Sequence, residues 1–137
     1  MDEDYILLAN CVVLDEYGRI LLLHRTLNEI GQWELPGDNV VEDELPEEAA
    51  IRAVREQLGV QARLIKSLAT EVFEGDDGNY KFHWFQAVIE QGEIQSLTSE
   101  LFDDFDYIDL EDLPSVALSA NMIVFENKLV NGDVVLD

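Results

Sequence analysis

Gly37 to Val60 reads GDNVVEDELPEEAAIRAVREQLGV, and this stretch decides the fold: a turn-forming, acidic lead-in runs into a helix with two distinct faces. Pro46 suits a first helical turn, where its missing N–H costs nothing, and Glu47 and Glu48 complement the positive end of the helix dipole. The periodicity predicts a helix from Pro46 to about Leu58. Ala50, Val54 and Leu58 form an apolar line at i, i+4 and i+8, flanked by Ile51 and Ala53, while Glu48, Arg52 and Glu56 repeat the same spacing on another face. Gly59 is a natural C-terminal stop.

Outward from this helix, Tyr5 to Leu14 reads as a strand rich in Ile, Leu and Val, Asp15 to Gly18 as a turn and Arg19 to Arg25 as a second strand, together an expected hairpin. Thr26 to Gln32 is polar and reads as a loop. Val60 to Glu74 is compatible with one or two strands. Gly75 to Asn79 is a turn, and Tyr80 to Glu90 carries the aromatic and β-branched residues of a strand, so a second hairpin is expected. Phe105 to Leu110 is a short strand closed by Leu113-Pro114, and Asn121 to Val130 has apolar residues at helical intervals. Strands and helices in this order indicate an α+β fold with a mixed sheet.

The segment Gly37–Val60 resembles a Nudix box, whose pattern is G-x5-E-x7-R-E-U-x-E-E-x-G-U with U a bulky aliphatic residue. Glu44, Arg52, Val54, Glu56, Gly59 and Val60 keep the family's relative spacing. One extra residue lies between Gly37 and Glu44, and Ala53 and Gln57 stand where the pattern has glutamates. Trp33-Glu34-Leu35-Pro36-Gly37 is similar to the family's W-E-L-P-G lead-in, and Gly18 to Arg25 to its G-x-hydrophobic-L-L-x-x-R signature. The resemblance implies the Nudix fold, an α/β/α sandwich with a mixed β-sheet, as a single domain over residues 1–137. It also implies Mg²⁺- or Mn²⁺-dependent hydrolysis of a nucleoside diphosphate linked to another group. A Nudix domain that binds a nucleotide or a protein partner without hydrolysis is the alternative.

The site residues follow from that resemblance. Glu56 and Arg52 are the catalytic candidates; Glu56, Asp104 and Glu48 are candidate metal ligands; Arg25 and Gly37 are candidate substrate contacts. Anhydride hydrolysis asks a protein mainly to gather charge, with a hard cation on the phosphate oxygens and a carboxylate to position water. Carboxylates one helical turn apart can share a metal, but Ala53 carries no ligand and the Gln57 amide no full charge, so Glu56 alone keeps its anion among the three glutamate positions. Glu56 reads equally as the i, i+4 partner of Arg52. Glu44 suits a structural role near the helix start. Asp103 or Asp104 resembles the acid that many members supply from a later loop, with Asp104 preferred. Arg25 reads as a phosphate contact or as one half of an ion pair.

Composition narrows the partners. The chain has 137 residues, 47% of them hydrophobic and 9% aromatic, enough for one domain with a genuine core. Thirty acidic against eight basic residues give a net charge of −22, which repels nucleic acids and anionic membranes over a Debye length of about 10 Å. The same acidity serves solubility, as in a salty cytoplasm. The expected partner is therefore a nucleotide-type small molecule, with no nucleic acid and no membrane, and a homodimer is compatible. No basic signal region or spanning apolar run is evident, so a soluble cytoplasmic protein is expected. Cys11 is the sole cysteine and sits in an apolar run as an expected buried thiol. His24 and His83 read as ordinary strand residues and Trp33 as core, while Phe82 and Trp84 should share a strand face opposite Phe85.

Overall fold

A computed structural model describes residues 5–25, 31–76, 78–94, 97 and 100–137. Most of the expected loop from Thr26 and the centre of the turn at Asp77 lie outside the described residues. The elements in chain order are β1 (Tyr5–Val13), β2 (Ile20–Arg25), β3 (Gln32–Glu34), β4 (Gly37–Asn39), α1 (Pro46–Leu58), β5 (Gln61–Gly75), β6 (Gly78–Gln91), β7 (Phe102–Ile108), a 3₁₀ turn (Leu110–Ser115) and α2 (Ala120–Val130). A four-stranded sheet runs β4-β1-β6-β5 and a three-stranded sheet runs β3-β2-β7. The first sheet is mixed, because β1 lies parallel to β6 while β4 and β5 are antiparallel to their neighbours. No helix among the described residues is long and apolar enough to cross a membrane.

The β5–β6 hairpin forms as expected, but β1 and β2 do not pair as one. Beyond a single antiparallel bridge at Leu14 and Ile20 they part into different sheets, β1 to β4 and β6, β2 to β3 and β7. The turn between them is real: the Asp15 carboxylate accepts the N–H groups of Tyr17 and Arg19, each at 2.9 Å. What the turn joins is decided by burial. Alternate residues of β2 enter opposite cores, with Leu21 and Leu23 on the α1 side and Ile20 and Leu22 on the α2 side, all fully buried. A strand apolar on both faces must lie between two layers. The sheets therefore form the middle of an α/β/α sandwich.

Against the α1 side pack Ala50, Val54 and Leu58, as the spacing predicts, with Ala9, Cys11 and Phe85 beneath them. Each large aliphatic side chain removed from water there contributes about 1.5–3 kcal/mol. Cys11 is fully buried, its thiol is pushed up to about 12 by burial, and it donates to the Ala50 carbonyl at 3.4 Å. On the α2 side Phe82 and Trp84 stack at 6.0 Å between ring centroids, Trp84 meets Phe125 at 5.5 Å, and Phe85 faces the other core. Trp33 packs against the edge of this second core.

Candidate active site

Helix α1 ends as its sequence dictates, with Gly59 at φ 71° and its N–H on the Arg55 carbonyl at 3.0 Å. Its start is less usual, because the residue ahead of Pro46 is Leu45, which has no capping oxygen. Glu48 supplies one instead, its carboxylate accepting the Leu45 N–H at 2.8 Å. Eight residues separate Glu48 from Glu56, about 12 Å along the axis. These two candidate ligands are therefore not brought to one ion.

Arg52 is the hub of the polar face. Its guanidinium holds Glu44 through two bonds, at 2.8 and 3.0 Å, and donates to Asp38 at 3.1 Å, to Glu56 at 3.4 Å and to the Asn39 carbonyl at 2.8 Å. Hydrogen bonding to Arg52 holds the Glu44 carboxyl below its ordinary range, and Glu44 in turn pushes the guanidinium up. The structural role expected for Glu44 is thus ion pairing combined with acceptance of the Val41 N–H at 3.1 Å, rather than capping of the helix. Through Asp38 and the Asn39 carbonyl, Arg52 ties helix α1 to strand β4.

The second buried line of α1 is the one the spacing did not bring out. Ala49, Ala53 and Gln57, again at i, i+4 and i+8, are buried, whereas Ile51 is only partly so. Gln57 turns its amide onto the backbone of Gly37, with Nε2 donating to the Gly37 carbonyl at 2.8 Å and Oε1 accepting the Gly37 N–H at 3.3 Å. A carboxylate at this position could accept but not donate, and would face a carbonyl oxygen. Gly37 is needed for a related reason: a Cβ there would come 2.6 Å from the Ala9 carbonyl and closer still to Asn10 Oδ1. Two buried donors sit nearby on paired residues of β1 and β6, Asn10 Nδ2 and Trp84 Nε1, without hydrogen-bond partners among the described residues.

The remaining candidates lie on the three-stranded sheet. Arg25 is engaged with Glu34, at 2.7 Å from Nη2 and 3.1 Å from Nε, and its guanidinium carbon lies 4.8 Å from the Phe102 ring centroid. The bond to Glu34 raises its pKa. Asp104 is exposed opposite His24 in the β2–β7 register, and its carboxylate accepts the Phe105 N–H at 2.8 Å. Asp103 makes the longer-range contact, 2.6 Å from His24 Nδ1, while the His24 ring leans on Trp33 at 4.9 Å.

The structure thus gathers Arg52, Glu56 and Gly37 at the β4 edge, pairs Arg25 with Glu34 within the field of Asp38, and leaves Glu48 at the helix start and Asp104 on β7. Among the described residues, no three histidine, cysteine or acidic side chains converge as a metal ion would need. The donor set therefore does not fit the several-carboxylate Mg²⁺ site that the full box provides. Asp38 is the acid that the helical spacing missed, since it lies on β4. The signal for it was present in the sequence, a carboxylate directly after the box glycine.

A family model described as the NUDIX domain matches residues 5–128. An 8-oxo-dGTP diphosphatase from Proteus vulgaris is 26% identical over 87 residues, covering 62% of this chain and 78% of that protein. Among solved structures, the MutT protein of Methanosarcina mazei Go1 superposes with a TM-score of 0.80 at 23% identity, over 97% of this chain and 98% of that one. The Nudix domain of Shewanella oneidensis NrtR, solved in complex with ADP-ribose, gives 0.74 at 20% identity over 93% and 88%. With a family match over most of its length and the fold of these structures, the chain belongs to the Nudix family.

Proposed function

We propose that this chain is a Nudix domain that binds a nucleotide-type diphosphate and has lost most of the family's hydrolytic turnover. One observation carries the reading: the helix position that would bear the last glutamate of the box is a buried glutamine clasping both backbone groups of Gly37. With Ala53 buried one turn earlier, those two positions serve packing and leave the metal chemistry without two of its three glutamate anions. Phe73, Tyr80, Phe82, Ala120 and Asn121 line a shallow apolar groove of about 130 Å³ on the α2 side, and its rings suit the face of a base. That a relative's Nudix domain is complexed with ADP-ribose supports the same ligand class here.

A second reading, slow metal-assisted hydrolysis, is favoured by the approach of Asp38 and Glu56 to one guanidinium nitrogen of Arg52, both carboxylates about half exposed. The two readings part in one experiment. Calorimetric titration with ADP-ribose and with purine and pyrimidine nucleoside triphosphates is expected to give binding that persists in EDTA and weakens in Phe82→Ala. Product release from the same compounds in Mg²⁺ or Mn²⁺ is expected to stay at background. Metal-dependent release that is abolished in Glu56→Gln would replace the binding reading with the hydrolase.

A further inference from the structure

A concave apolar surface lies away from the box, where the 3₁₀ turn, α2 and the segment after it meet. Leu110 and Leu113 form one wall and Leu129, Val130 and Val135 the other, around a volume of about 510 Å³. Val130 and Val135 stand 76% and 68% exposed at its rim, so the apolar surface continues beyond the cavity itself. Hydrophobic surface gathered in this way usually marks a contact with another molecule.

Charge narrows what that molecule is. The ionisable groups lining the groove are Glu111 and Glu126, both acidic. Glu126 Oε2 is buried and has no hydrogen-bond partner among the described residues. The nearest turn of α2 offers no cation in compensation, because Lys128 pairs with Glu71 at 3.3 Å. A buried carboxylate oxygen without a donor is costly, and the cost is relieved when a cation arrives with its own apolar stem.

We propose that this groove docks an amphipathic helical segment of a partner protein, with leucine-type side chains between the 3₁₀ turn and α2 and a lysine or arginine on Glu126. The exposed rim suits an extended partner better than a small organic cation. The net charge of −22 supplies long-range attraction for a basic segment and disfavours an anionic membrane. A helix with leucines at i, i+3, i+4 and i+7 and basic residues beside them presents an apolar stripe flanked by cations, the complement of a groove lined by leucine and valine with Glu111 and Glu126. The inference is independent of whether the Nudix cleft binds or hydrolyses a nucleotide.

The test uses the full chain and a fluorescent helical peptide of leucine and lysine with leucines at those intervals, titrated at physiological salt. Binding is expected, weakened about tenfold or more by Val135→Asp and by Glu126→Gln. The remote substitution Glu74→Gln should leave it unchanged. Glu126→Gln should also raise the thermal midpoint of the free protein while weakening the peptide, the signature of a group held for a partner at a cost to stability. Equal weakening by Glu74→Gln, or equal binding of a peptide with its leucines scrambled, would reduce the effect to general acidity and overturn the proposal. So would sedimentation showing a dimer that Val135→Asp dissociates, which would give the groove to a second copy of the chain.

Discussion

The two polar edges of helix α1 have gone different ways. One edge carries Arg52 and Glu56 and remains a charged network that reaches Glu44 and Asp38. The other carries Ala53 and Gln57, where the box pattern has glutamates, and is now neutral and buried. The charged edge keeps geometry that could serve an anion or its counter-ion; the neutral edge pins the helix to Gly37. At this edge packing takes the position that holds a glutamate in the box pattern: Gln57 is a better neighbour to a peptide group than a glutamate would be, because an amide both donates and accepts.

Substitutions can break that contrast, in decreasing order of effect. Gly37→Ala should be the most damaging, since its methyl meets the Ala9 carbonyl and the Asn10 side chain together; about 3 kcal/mol of lost stability is expected in urea unfolding. Gln57→Glu should cost about 2 kcal/mol by leaving the Gly37 carbonyl without its donor. It should not by itself restore turnover. If it instead raised metal-dependent hydrolysis without loss of stability, the packing role of this edge would be refuted.

On the charged edge the effects are smaller and depend on pH. Glu44 has its folded pKa lowered by Arg52, so its contribution is present above the ordinary value of 4.5 and is lost as pH falls through the folded value. Thermal midpoints measured from neutral pH into the acid range should therefore decline less steeply in Glu44→Gln than in the parent; equal slopes would mean that the pair contributes nothing. The smallest effect belongs to Asp38→Asn, whose half-exposed carboxylate is worth about 0.5 kcal/mol or less to Arg52. That variant sharpens the comparison: unchanged stability with altered nucleotide affinity would assign Asp38 to the ligand and not to the fold.

Much of this was legible along the chain. The bounds of α1, the Gly59 stop, the Ala50-Val54-Leu58 face and the β5–β6 hairpin depend on local periodicity and turn residues, which act within a few residues of each other. The expected β1–β2 hairpin failed because a turn shows that the chain reverses and does not show which strands then bond. Arg52 was marked as a pairing residue, but its main partners lie eight and fourteen residues upstream and could not be ranked by helical spacing. Arg25 could be phosphate contact or ion pair by sequence; the Glu34 carboxylate across β3 occupies it in this structure. The approach of Glu34 follows from strand register, which no local pattern specifies.

The amino-acid order alone determined the chemical inventory of the box: one glutamate kept, one methyl, one amide, and a strongly anionic chain around them. It also determined the helix that carries them, because amphipathic periodicity and end signals are local. Only the tertiary structure decided that the amide clasps Gly37, that Asp38 joins Arg52, and that an apolar groove with a carboxylate oxygen unpaired among the described residues lies at α2. Each of these depends on side chains meeting across strands and layers, and such meetings are set by how both cores are buried together rather than by any neighbour in sequence.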